Sequence, residues 1–334
     1  FLKKYIKLVK EKLSKNNTPK NEHYLKVLKY RLEMDLEGNK YKLHYLPIDS
    51  LHNTILDWVE LCTGKSYIKL VTVSDFNNFL TRISLYLEVI DSMINRMNDG
   101  IYEGMTHPKV IIDKVIVDLE KVLKNKDYLL KEDKIPKIVF EDYDLYINNL
   151  FPKKIKKMLN YLKSTYIKKC HNGFGLLSMK NGKNIYNYLV RYHTTLKNPN
   201  IPEIHNLGLL EVKRIDTNIK NLFAKYSKIY PNLINPSELS NLKRENVKDK
   251  RVRDLLFYKD EKDIISSFKD LRESINKTVM KKYFDAPIKI NTRYDIKKVP
   301  KFLEENNTGA YYQRSNIDLS RKGAFFINVG NIDE

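Results

Sequence analysis

The stretch SDFNNFLTRISLYLEVIDSMINRMNDG, Ser74–Gly100, decides how the chain is read. Phe79, Ile83, Leu87, Ile90 and Ile94 recur at spacings of three and four, so they share one face of a helix. Ser74-Asp75 reads as the N-terminal cap, and Asn98-Asp99-Gly100 as the stop. A helix this long needs apolar partners with the same period, and the flanking sequence supplies them.

Toward the N-terminus, Phe1–Leu13 and Glu22–Leu36 are amphipathic, separated by the breaker SKNNTPKN. Toward the C-terminus, IYEGMTHPKV is a loop from which Pro108 opens a helix to about Leu123. A Pro-bounded link, IPKIVFEDYDLY, leads to the lysine-laden helix Pro152–Cys170. The glycine-dense HNGFGLLSMKNGK reads as a loop or short hairpin. Helices follow over Lys183–Leu196 and Ile201–Tyr226, the second opened by Asn200 and Glu203 as a capping-box-like pair. Further helices are expected over Ser237–Glu245, Val252–Tyr258 and Glu261–Tyr283.

At Ala286 the pattern changes. PIKINTRYDIKKVP alternates, AYYQ is short and aromatic, and GAFFINV is a compact apolar strand. The expected fold is mainly α, a large helical body with a small β-element near the C-terminus. Three regions are expected: an N-terminal helical region 1–73, a helical body 74–285 and short strands in 286–334.

The 334 residues include 42% apolar side chains, enough for a packed core and incompatible with a disordered chain. Two cysteines, Cys62 and Cys170, argue against a disulfide framework and favour a cytoplasmic or other reducing compartment. No apolar run is long enough to span a membrane, and the first segment lacks the apolar centre of a signal peptide. A chain that begins at Phe1 and not at Met is expected to have had its true start removed, processed or left out of this sequence. The net charge of +20 is mostly lysine, accompanied by abundant Asn, Ile and Tyr. That is what an AT-rich genome imposes, so the charge alone does not identify a nucleic-acid partner.

Motif chemistry narrows the classes. TGKS at Thr63–Ser66 has Val59 where a phosphate loop needs glycine. None of the seven histidines stands in H-E-x-x-H, and C-x-x-C is absent, so the polypeptide alone carries no recognisable metal site. Cys170-His171 reads as a surface-loop pair. No G-x-S-x-G marks a nucleophile. On the helix from Lys183, the residues Ile185, Leu189, Tyr192 and Leu196 share one face, with Tyr186, Val190 and His193 beside them. Tyr192 and His193 lie at the boundary, open to a core or a cleft role.

Four separated segments, GMTHPKVIIDKVI, NGKNIYNYLVRYHTTLKNPNIPEIHNLGLLEVKRI, VPKFLEENNTGAYYQ and RKGAFFINV, together resemble the domain-of-unknown-function-885 family. The resemblance covers about Asp75 to the C-terminus. It departs at NPNIPEIH, where the family tends to show Leu-Thr-Pro-Glu-Glu-Ile-His. The family is similar in fold to helical gluzincin metallopeptidases, and its members are usually taken to be zinc hydrolases. The resemblance implies an edge strand, Ala324, Phe325, Phe326, Ile327, Asn328 and Val329, that pairs with a peptide substrate. It also implies phenol or imidazole donors for a substrate carboxylate or oxyanion, with Tyr192, His193, Tyr311 and Tyr312 as candidates. The H-E-x-x-x-H-type helix that follows such a strand in the family is not in this sequence. Zinc would therefore come with a C-terminal segment or a separate catalytic chain, and the polypeptide alone would be an inactive, substrate-cleft portion. Two other classes stay open: a non-catalytic structural or assembly protein, and a polyanion binder using the lysines of Pro152–Cys170.

Overall fold

The computed structural model describes residues 1–64, 68, 70–125, 129–229, 250–283, 294–301, 304, 309–315 and 322–330, with backbone alone at 251, 252, 255 and 281. The chain is mainly α, with a small sheet near the C-terminus. It divides into two compact units. The first comprises Phe1–Cys62 and Leu70–His205, the second Thr63–Lys69 and Asn206–Glu334. The boundaries expected at 73 and 285 therefore do not coincide with this division.

In the first unit, α1 (Leu2–Leu13) pairs with α2 (Pro19–Gly38), whose start is set by Pro19 and the Thr18 hydroxyl accepting from Asn21 N–H. After α3 (Thr54–Cys62) comes α4 (Val73–Glu103). All five residues of its predicted stripe are buried. The cap lies two residues earlier than expected: Thr72 and Asp75 form a reciprocal capping box. The helix also runs past Asn98-Asp99-Gly100, ending where Gly104 takes a left-handed conformation (φ 71°).

Helix α5 (Lys109–Lys124) and helix α7 (Phe151–Ser164) pack together, and α7 also packs on α4. Ile112, Val115 and Leu119 of α5 meet the core with Phe151, Ile155, Met158 and Leu162 of α7. Trp58 stacks on Tyr86 at 4.7 Å, and Tyr86 meets Phe151 edge-on at 6.4 Å. The link before α7 is helical rather than irregular: α6 (Phe140–Tyr143) runs into a π-helical stretch, Asp144–Leu150. Pro152 has no N–H to return to the preceding turn, which suits a widened turn at this point. Helix α8 (Gly182–Thr194) then leads to α9 (Ile201–Tyr226), where the Asn200 side chain accepts from Glu203 N–H at 3.3 Å.

The second unit holds most of α9, α10 (Lys250–Leu256), α11 (Glu261–Lys277) and α12 (Val279–Tyr283). The single helix expected over Glu261–Tyr283 is interrupted at Thr278, whose hydroxyl bonds back to the Ser274 carbonyl. The helix expected at Ser237–Glu245 lies outside the described residues. So do Pro287–Arg293 of the expected alternating segment. Strands β1 (Asp295–Lys298), β2 (Ala310–Gln313) and β3 (Ala324–Ile327) form one sheet in the order β1-β3-β2. Strand β1 runs parallel to β3 and β2 antiparallel to it. Phe325 and Ile327 face α11, where Phe268 stacks on Phe325 at 6.0 Å beside Ile264 and Ile265.

Both thiols are free, and burial pushes them up, Cys170 to about 11. Cys170-His171 is not a plain surface pair. His171 C=O accepts from Lys109 N–H at 2.9 Å, Thr106 hydroxyl donates to Lys169 C=O at 3.1 Å, and Tyr166 hydroxyl accepts from His107 N–H at 3.1 Å. These bonds stitch the start of α5 to the end of α7. His107 is buried in the seam, and the Nε2 atoms of His107 and His171 have no partner among the described residues.

Burial pushes the His107 imidazole down to about 4, with the opposing pull of Asp49 and the further push of His171 both smaller. Below about pH 6.5 the unfolded chain takes up a proton that the folded chain refuses until about pH 4. Stability therefore falls as pH drops through that window, by on the order of 3 kcal/mol for this group alone. Urea unfolding at a series of pH values should show this slope, and His107→Gln should flatten it. An unchanged slope in the variant contradicts the assignment.

Candidate functional site

In the first unit the candidate residues cluster around α8. The helix is anchored to α2 by a polar seam. Tyr188 hydroxyl donates to Met34 C=O at 3.0 Å, Tyr30 hydroxyl donates to Arg191 C=O at 2.8 Å, and both Arg191 Nη atoms donate to the Glu37 carboxylate. Arg191 holds the Glu37 carboxyl below its usual range. Tyr188 is buried. The helical-wheel reading passed over it, although it stands three residues after Ile185 and four before Tyr192.

This anchoring fixes where the predicted donors point. Tyr192 is half-buried, with the Arg31 guanidinium 4.3 Å from its ring centre and the His193 ring edge-on at 5.2 Å. The two are brought together, and Tyr192 is turned toward α2. On the other side of α8 lies an open groove of 820 Å³, lined by Lys183, Tyr186, Asn187, Arg191 and the α8–α9 connection Lys197–Pro202. Neither Tyr192 nor His193 lines it. Three cations and three asparagines stand in its wall, with no carboxylate. Arg191 is committed to Glu37, whereas Lys183 and Lys197 have no acidic partner among the described residues. A carboxylate would find charge and amide donors here. A polar-face lysine on α8 and one on the connection after it carry no pattern of their own, so the sequence does not announce this groove.

In the second unit the sheet corrects one expectation. Ala324–Val329 was to be an edge, but β3 is the central strand, bonded on both sides. Its backbone has no hydrogen bonds left for a substrate. Asn328 N–H donates to Gly309 C=O at 2.7 Å, which places these two opposite each other as a hydrogen-bonded pair. The alternation of an antiparallel ladder then gives Tyr311 and Gln313 their bonds to β3, and leaves the N–H and C=O of Ala310 and Tyr312 facing outward. Strand β1 is less open. Lys298 pairs with Glu261 of α11, and Arg272 of α11 donates to Tyr294 C=O at 2.6 Å.

The tyrosines of β2 have different settings. Tyr311 stacks on Phe326 at 4.9 Å, on the sheet face away from α11. Tyr312 is exposed and meets Tyr294 edge-on at 5.7 Å. The Tyr312 ring closes over Gly323, where any β-carbon would collide with the Tyr312 hydroxyl. Gly323→Ala should therefore destabilise the second unit by about 1–3 kcal/mol in chemical denaturation. Adding Tyr312→Ala should recover part of that loss; strictly additive losses contradict the close approach.

Among the described residues no group of three His, Cys, Asp or Glu is placed to hold a metal ion, so the described residues alone do not make a zinc site. No helix among them is long and apolar enough to cross a membrane. The lysines of α7 are partly spent: Lys154 and Lys157 pair with Asp91, and Lys163 with Glu120. That face carries less free charge for a polyanion than its composition suggests.

Curated proteins give no match to the sequence. Among solved structures, a chain described as the "putative lipoprotein from Colwellia psychrerythraea" is similar in fold, with a TM-score of 0.68 at 12% identity. The match covers 86% of this chain and 49% of that one, so this chain spans about half the length of the solved relative. The profile of a family described as "Bacterial protein of unknown function (DUF885)" matches residues 1–334. The chain belongs to that family.

Proposed function

We propose that this chain is the substrate-holding portion of a zincin-like hydrolase that acts on peptides. The observation that carries the reading is the open edge of β2. An antiparallel edge strand with two outward N–H/C=O sets is a template for an extended peptide, which would add to the sheet as a fourth strand. Ala310 and Tyr312 would bond the peptide backbone, and the exposed Tyr312 ring would lie against its side chains. The likeness to half of a longer solved chain supports a fold completed by further polypeptide. Zinc does not fit the described residues, so no step through a metal is derived for this chain. Its own residues bind and orient.

The arrangement of the ladder offers a selective test. Proline at 310 removes an outward N–H while leaving every β2–β3 bond in place. In the assembly of this chain with the polypeptide spanning the rest of the family fold, zinc-dependent cleavage of a peptide library is expected. Ala310→Pro should raise KM about tenfold with the circular dichroism spectrum unchanged, since one edge bond of about 1–1.5 kcal/mol is lost. Cleavage that ignores chelators, or an Ala310→Pro variant with unchanged KM, contradicts the reading.

A further inference from the structure

Helix α9 carries a long apolar face that no described residue buries. Within the second unit, Gly208, Val212, Ile215, Ile219, Leu222 and Tyr226 follow one another at spacings of three and four. They form a single stripe along about 27 Å of helix. The five side chains on it are between 40% and 67% exposed. Exposed apolar surface on this scale marks an interaction site.

Two further features identify the kind of occupant. Gly208 stands in the line of the stripe, and a β-carbon there would meet nothing within 4 Å. Glycine inside an exposed helix costs about 1 kcal/mol relative to alanine. No described residue fills the space it leaves, so the gap suits a large side chain from a facing helix, as a knob enters a hole. Among the charges on α9, Arg214 pairs with Glu211 and Lys220 with Asp216, and Lys225 lies over the Tyr226 ring at 5.6 Å. The stripe itself carries no charged side chain, unlike a surface for a polyanion.

We propose that this stripe docks an amphipathic helix from the other half of the family fold. About half of the solved Colwellia psychrerythraea chain has no counterpart in these 334 residues, and a fold completed by that half must cover apolar faces such as this one. The identity of the occupant rests on the proposed division of the fold. It does not depend on zinc or on hydrolysis.

The test compares hydrogen exchange of residues 208–226 in this chain alone and with the polypeptide that spans the remaining half in the same organism, whether continuous or separate. Exchange is expected to slow at least tenfold in the assembly. Gly208→Leu fills the gap and raises helix propensity, so the isolated chain stays folded, while association should weaken at least tenfold. Four results overturn the proposal. They are protection already present in the isolated monomer, protection that grows with the concentration of this chain alone, protection by anionic lipid vesicles but not by the complement, and an unaffected Gly208→Leu assembly. Peptide cleavage assayed on the same samples separates the two claims. Cleavage without α9 protection removes the docking alone, and protection without cleavage removes the hydrolase alone.

Discussion

A β-strand has two rows of backbone hydrogen-bonding groups, and β3 uses both. That constraint organises the second unit. With β1 on one side and β2 on the other, the only positions where a further strand can join are the outer edges of the sheet. Helix α11 then biases the choice, because Glu261 and Arg272 tie down β1 through Lys298 and the Tyr294 carbonyl. Strand β2 is left with Ala310 and Tyr312 facing outward. The apolar face of the sheet is closed by Ile264 and Phe268, so side chains on that face set the register and the edge is free for recognition.

The first unit depends on a comparable pairing of apolar burial with a few specific polar bonds. The buried stripe of α4 holds α7, while α8 is located by the Arg191–Glu37 pair and by two tyrosine hydroxyls bonded to carbonyls. Because Arg191 is committed to Glu37, the groove beside it relies on Lys183 and Lys197 for free positive charge. Position and charge are thus supplied by different residues. The seam around His107 joins α5 to α7 by bonds to the backbone, with an imidazole that burial keeps neutral.

Much of this was legible in the sequence, and the parts that were not have physical reasons. Helical periodicity located α4, α5, α8 and α9 closely, since an apolar stripe is a local pattern whether or not the chain itself buries it. AYYQ and GAFFINV were recognisable as strands for the same reason. Whether a strand is central or at an edge depends on partners 17 and 29 residues away, as Ala310↔Ile327 and Asp295↔Ala324 show, and no local pattern encodes it. Tyr192 was placed at a boundary from its wheel position, but its contact is with Arg31, 161 positions earlier in the chain. The groove residues Lys183 and Lys197 are ordinary lysines until α8 and the α8–α9 connection fold around them. The Cys170-His171 pair read as a surface loop because the bonds that tie this segment down come from Thr106, His107 and Lys109.

The central claim is that β2 offers its outer edge to an extended peptide. Amide hydrogen exchange resolved to single residues, with and without a substrate-like peptide on the complete assembly, tests it most directly. The account predicts new protection at the amides of Ala310 and Tyr312, with those of Tyr311 and Gln313 already protected before the peptide is added. Protection appearing instead at Ile296 and Lys298 of β1, or nowhere in the sheet, would contradict it.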